Sequence, residues 1–155
     1  VCVTRAAVAP VVIDTNVLLD LYVFHDVGVR VLADALGAGA VLARRSEAID
    51  AEFTDVLSRP QFDLSPQRQT AILAAWQTLA VAHTTPPTAP LVCSDADDQK
   101  FLDLALAVQA RWLVTKDRAL RRLARRARPW QLAIVPPQAF ALPSPDVSSG
   151  RPRSR

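Results

Sequence analysis

Two cysteines in 155 residues cannot form the disulfide framework that holds small secreted domains together. Cys2 lies near one end and Cys93 in an expected loop, so a reduced cytoplasm is the expected home. There are also only two histidines. His83 has no second His or Cys at a metal-ligand spacing and His25 stands in an expected turn, so both are read as structural or exposed residues rather than zinc ligands. Glycine is scarce, at four residues, and charged residues make up only 21% of the chain while half of it is apolar. That balance argues against disorder and for one packed domain with a proper core. No apolar run reaches the length of a membrane span, because Arg30, Asp34 and Arg44-Arg45 interrupt the longest stretch. The first 13 residues faintly resemble a signal peptide, but cleavage after them would cut into the strand described next, so that reading is set aside.

What the chain does have is a repeated pattern of short apolar strand, polar residue, helix. Val11-Val12-Ile13 reads as a strand buried on both faces, followed at once by Asp14, Thr15 and Asn16. Thr15 and Asn16 are both able to cap the helix expected over residues 17–22. Asp14 therefore sits where a strand ends and its helix begins, which is either a capping position or the ligand-binding edge of an open α/β sheet. Asp26 is expected to open a helix that Gly37 and Gly39 stop, and residues 40–43 form a second strand, parallel to the first. Ser46 caps a helix to about Ser58, ended by Pro60. On that helix Asp50 and Glu52 flank opposite sides of the apolar stripe Ile49, Phe53, Val56 and Leu57, and periodicity leaves open which of the two turns inward. Pro66 opens a further helix whose Trp76 is read as core rather than as a base-stacking platform. Residues 79–83 form a third strand, and residues 84–90 a surface loop.

The second half repeats the pattern. Ser94 or Asp95 caps a helix whose buried side is expected to carry Phe101, Leu102, Ala105, Leu106 and Gln109. Asp98, four residues before Leu102 and seven before Ala105, shares that inward face, whereas Asp95 and Asp97 are explained as acids at the positive end of the helix dipole. Trp112-Leu113-Val114-Thr115 reads as a fourth strand, then Lys116-Asp117 leads into a helix expected over residues 118–126. A last strand covers residues 132–135. The expected organisation is an extension over residues 1–10, the domain over 11–140, and a disordered Pro/Ser/Arg tail over 141–155.

The net charge of +3 hides an asymmetry. Asp95, Asp97, Asp98 and Asp103 cluster just before Arg111, Lys116, Arg118, Arg121, Arg122, Arg125, Arg126 and Arg128. Asp14, one acid of the Ser46 helix, Asp98 and Asp117 can meet above the carboxyl edge of a parallel sheet. Two carboxylates about 5 Å apart repel by roughly 3 kcal/mol at an effective dielectric near 20, so four together must take up protons or hold a cation. Oxygen ligands without His or Cys favour Mg²⁺ or Mn²⁺. The adjoining basic segment suits a nucleic-acid backbone, although a surface helix also carries such residues simply as a solvated face.

Four blocks carry a family resemblance: Val12-Ile13-Asp14-Thr15-Asn16-Val17-Leu18, Val56-Leu57-Ser58-Arg59-Pro60-Gln61-Phe62, Asp95-Ala96-Asp97-Asp98-Gln99-Lys100-Phe101-Leu102, and Val114-Thr115-Lys116-Asp117. In order and spacing they resemble the PIN domain and, more closely, its bacterial branch of toxins from toxin–antitoxin pairs. The resemblance spans residues 11–135. It implies a three-layer α/β/α sandwich around a parallel sheet and a Mg²⁺- or Mn²⁺-dependent ribonuclease. It implies catalytic acids at Asp14, Glu52, Asp98 and Asp117, selecting Glu52 over Asp50, with Asp14, Asp98 and Asp117 on the metal. Polar supports fall on Thr15, Asn16, Ser46 and Thr115. RNA contacts are assigned to Lys116, Arg118, Arg121, Arg122 and Arg125. Lys116 departs from the family, which commonly has Gly or another small residue there; its ammonium is expected to pair with a substrate phosphate or with Asp117.

The partners so implied are RNA and a cognate antitoxin, with a homodimer as the other use of the apolar N-terminal helices, and no membrane. Two other functions fit parts of the pattern. A catalytically silent nucleic-acid-binding module would bind RNA in chelator and never cut it. A receiver-type phosphoryl-transfer domain would need an acceptor Asp on a middle strand and an acidic pair on the first, where the chain offers Asp14 alone.

Overall fold

In a computed structural model, which describes residues 8–143, five short strands form one parallel sheet. They are β1 (Pro10–Ile13), β2 (Leu42–Arg45), β3 (Val81–Ala82), β4 (Trp112–Val114) and β5 (Ala133–Val135). Their spatial order is β3-β2-β1-β4-β5, all neighbours parallel. The chain thus builds outward from β1 to one edge and then returns to build outward on the other side. β1 and β4 flank the point of reversal, in register from Val11 opposite Trp112 to Ile13 opposite Val114. Side chains of a strand alternate between faces, and the core divides accordingly. Val11, Ile13, Trp112 and Val114 pack on one face, under α1 (Thr15–Leu19), α2 (Arg30–Gly37), α3 (Glu47–Leu57) and α4 (Pro66–Leu79). Val12 and Leu113 pack on the other, under α5 (Gln99–Ala107) and α6 (Arg118–Arg121). This is the three-layer α/β/α sandwich.

Local chemistry explains the places where elements start and stop. Ser46 and Ser65 cap α3 and α4, with Pro66 in the first turn of α4. Trp76 is wholly buried, and its indole N–H donates to Asp50 at 3.0 Å. The second strand starts two residues later than expected. Gly39 adopts φ +69° and the Ala40 amide reaches back to the Ala35 carbonyl, a Schellman-type closure that uses Ala40 in ending α2. The same device ends α5: Gln109 is at φ +53° and the Ala110 amide bonds to the Ala105 carbonyl. Gln109 is therefore exposed rather than on the buried side.

The first helix also differs. α1 ends at Leu19 and passes into a π-helical turn over Asp20–Phe24. The basic helix expected over residues 118–126 lasts only for Arg118–Arg121, after which turns continue to Ala127. Arg118 and Arg122, Arg121 and Arg125, and Arg122 and Arg126 are like charges at i, i+4, which weaken a helix. Tighter i→i+3 bonds, Leu123 to Leu120 and Ala124 to Arg121, keep Leu120, Leu123 and Ala127 in the core without it. Among the described residues, no helix is long and apolar enough to cross a membrane.

The expected terminal extension and tail fall mostly on residues 1–7 and 144–155, outside the described residues. Phe140, beyond the last strand, is buried and meets Trp112 edge-on with ring centroids 5.2 Å apart. Phe140→Ala should accordingly destabilise the fold by about 3–5 kcal/mol, the usual cost of emptying an aromatic core position, read as a lower urea midpoint at unchanged m-value.

Candidate functional site

Asp14 is the first residue beyond β1 and Asp117 lies just beyond β4, so the two acids stand side by side at the carboxyl edge of the sheet where its strand order reverses. Thr115 joins them. Its wholly buried hydroxyl donates to Asp14 Oδ2 at 2.6 Å, and the same oxygen accepts the Asp117 amide at 3.0 Å. Asp14 is only 4% exposed. Burial raises its carboxyl above the ordinary value, partly offset by the Thr115 hydroxyl and the Asn16 amide, and the charges of Glu52 and Asp117 raise it further. Asp117 caps α6, accepting from the Ala119 and Leu120 amides at 2.7 and 3.3 Å through Oδ1.

Asp98, at the start of α5, completes the group. Its Oδ2 is buried and has no hydrogen-bond partner. Burial, then the charges of Asp117, Asp14 and Asp95, push its carboxyl up to about 7. Glu52, on α3, accepts the Thr15 hydroxyl and the Lys100 ammonium, the latter at 3.2 Å. Asp50, the alternative on the same helix, faces away from this group and is held by Arg45 and Trp76. The tertiary structure thus separates two acids that the helical wheel could not.

Ser46 is buried and caps the helix that carries Glu52, accepting the Ile49 amide. Thr15 does not cap α1: Asp14 occupies the N-cap position and the Thr15 hydroxyl is turned to Glu52 instead. Asn16 is exposed, and it too leaves the cap to Asp14. Lys116, though exposed, does not pair with Asp117. Its ammonium lies 2.7 Å from Asp20, a carboxylate only 8% exposed on the π-helical turn. A buried acid needs a cation, and Lys116 is the one within reach. Arg118, Arg121 and Arg122 line a groove of about 350 Å³ with Ala124, Ile134 and Pro136, and Arg125 is exposed nearby on the following turns.

Lys100 and Asp20 were not singled out by the sequence. Lys100 follows Asp98 by two residues, which on a helix points it away from the buried side, and the pairing of Asp20 with Lys116 spans 96 positions. Cys93 is buried, its thiol raised chiefly by that burial, and so is no nucleophile.

Among the described residues, no three Asp, Glu, His or Cys side chains are drawn together tightly enough to form a ready-made ion cage. The donor set nevertheless suits a hard divalent cation. It offers only carboxylate oxygens, one of them the unpartnered Asp98 Oδ2, and the mutual repulsion of Asp14, Asp98 and Asp117 is what such an ion would relieve.

A sequence profile of the PIN domain matches residues 10–119. No curated protein matches the sequence. Seven chains of solved structures do match in fold. One belongs to the crystal structure of VapBC2 from Rickettsia felis bound to a DNA fragment from their promoter, with a TM-score of 0.55 and 14% identity, covering 81% of this chain and 96% of that one.

The raised Asp98 carboxyl has a thermodynamic consequence. In the native protein it binds its proton up to about pH 7, in the unfolded chain only up to the ordinary carboxylate range. Between those values the native state holds more protons, so its contribution to stability is present at low pH and is lost as pH rises through that window. The melting temperature of metal-free protein should therefore fall from pH 4 to pH 7 relative to that of Asp98→Asn. Parallel curves for the two proteins would remove this assignment.

Proposed function

The chain belongs to the PIN domain family, and on that premise we propose that it is a Mg²⁺- or Mn²⁺-dependent endoribonuclease, the toxin of a toxin–antitoxin pair. The observation that best supports a metal-dependent nuclease is the buried Asp98 Oδ2, without a hydrogen-bond partner among the described residues, next to two further carboxylates that are in no ion pair there. Asp14, Asp98 and Asp117 would hold the ion. When bound, it supplies a Lewis acid that lowers the pKa of a water and neutralises charge on a phosphodiester. Thr115 keeps Asp14 and Asp117 in a fixed relation, which limits the freedom lost when they engage a cation. Glu52, held between Thr15 and Lys100, is the acid placed to take the proton that the attacking water gives up. Asp117 caps the helix whose Arg118 and Arg121 line the basic groove with Arg122, so that groove is the proposed path of an RNA backbone leading to the carboxylates.

The antitoxin is assigned to the surface carrying Phe24, Val27 and Val31, which are 58%, 79% and 55% exposed. Phe24 pairs with Phe62 at 6.0 Å, extending the apolar patch. Such a cluster on a small domain suits a protein partner better than water.

Asp14→Asn is nearly isosteric and should leave the fold intact while lowering Mg²⁺-dependent cleavage of single-stranded RNA by more than about 100-fold, beyond the 10–100-fold typical of losing an outer-sphere partner of a metal site. The assay uses protein freed of any co-expressed partner, with EDTA as the blank. Full activity in that variant, or cleavage indifferent to EDTA, would sink the mechanism.

A further inference from the structure

A cavity of about 390 Å³ opens between the start of α3 and α5, and one of its walls, Lys100, is ion-paired to Glu52. Its walls are Ser46, Glu47, Ala48 and Ala51 on one side, Lys100 and Asp103 on the other, with Thr85 and Pro86 of the surface loop across the mouth. That loop is not free to fill it: Asp103 accepts the Ala89 amide at 2.8 Å and the Gln99 side-chain amide at 2.9 Å, pinning the loop to α5. Ala48, Ala51 and Pro86 make part of the lining small and apolar, while Ser46, Thr85 and Glu47 supply polar edges. The volume falls within the ~300–1,000 Å³ of small-ligand sites.

Lys100 is the link between this cavity and the acids. It is one of the cavity's walls, yet its ammonium contacts Glu52 Oε1 and the Asp97 carbonyl. An ammonium has three donors, and these two contacts leave one for a ligand. Lys116, the other lysine near the acids, is already committed to Asp20. A nucleotide whose phosphate lies at the carboxylates would therefore meet Lys100 first and the cavity next. The phosphate belongs at the Lys100 ammonium, because the other charged walls are the carboxylates of Glu47 and of Asp103, the latter with one oxygen engaged by the Ala89 amide and the Gln99 side chain; the uncharged nucleoside takes the rest of the cavity.

We propose that Lys100 and the cavity beyond it form a nucleotide subsite, with the ammonium on an RNA phosphate and the adjoining nucleoside inserted between α3, the loop at Thr85-Pro86 and α5. Unstacked bases of single-stranded RNA are bound this way, out of the strand and against protein walls. The inference rests on the nuclease reading and adds to it where the strand goes after the cleavage site.

The test is fluorescence anisotropy of a labelled single-stranded RNA dodecamer with the full chain in EDTA, across a salt series, alongside Mg²⁺-dependent cleavage. Ala51→Trp, on an exposed position of α3, fills the cavity and should weaken binding at least tenfold with an unchanged melting temperature. Lys100→Met should weaken binding and reduce the slope of log affinity against log salt by about 0.7, the loss of one phosphate contact on a single strand, and Lys100→Arg should restore it. Because Lys100→Met also unmasks Glu52, the same loss is expected when Lys100→Met/Glu52→Gln is compared with Glu52→Gln; a purely structural role for Lys100 would give those two the same slope. If the wild type binds and cuts RNA but both variants match it in affinity and slope, the subsite is wrong and the nuclease stands. A wild type that neither binds nor cuts overturns both.

Discussion

One buried hydroxyl holds the site together. Thr115 donates to Asp14 and accepts from the amide of Asp117, so the acids that follow β1 and β4 are tied to a single oxygen in the interior. The tie works because β1 and β4 are hydrogen-bonded neighbours in parallel register, which brings the ends of both strands to one edge. A carboxylate as buried as Asp14 is costly to ionise, and a neutral hydroxyl bond offsets only part of that cost. The remaining penalty favours a positive ion.

The distribution of cations sharpens the point. Asp50 has Arg45, Asp20 has Lys116 and Glu52 has Lys100. Each of these half-buried or buried acids is paired, as desolvated charges must be. Among the described residues, Asp14, Asp98 and Asp117 are in no ion pair, and the buried Asp98 Oδ2 has no hydrogen-bond donor. Asp50, Asp20 and Glu52 thus have their charge met by a neighbouring cation, whereas Asp14 and Asp98, whose carboxyls are raised by burial and by the charges around them, do not.

Size alone would point elsewhere. A larger cavity, about 840 Å³, lies at the opposite, amino edge of the sheet, where Pro10, Arg111 and Leu132 mark the starts of β1, β4 and β5. It has no carboxylate in its lining. The smaller cavity is linked to the acids through its Lys100 wall, which is paired with Glu52, and a link to charge that can do chemistry outweighs volume.

The sequence by itself determined the layers and the places of the acids. Apolar triplets such as Val11-Val12-Ile13 have to be buried on both faces, and a polar residue directly after such a strand has to stand at its edge, so Asp14 and Asp117 were legible from local pattern. Asp98 was legible because helical spacing sets it with Leu102 and Ala105. Gly39 was legible as a helix stop, but not that its closure would use Ala40 and move β2, nor that Gln109 would end α5 through left-handed backbone and be exposed. The basic helix lasts only one turn, and the like charges of its arginines at i, i+4 disfavour its continuing. What only the tertiary structure decided were the partnerships across long separations, Thr15 with Glu52, Lys100 with Glu52, Lys116 with Asp20 and Arg45 with Asp50 after the chain had folded around them. A local pattern records which side chains face inward. It does not record which charge they will meet there, because that depends on how separate elements are packed in space.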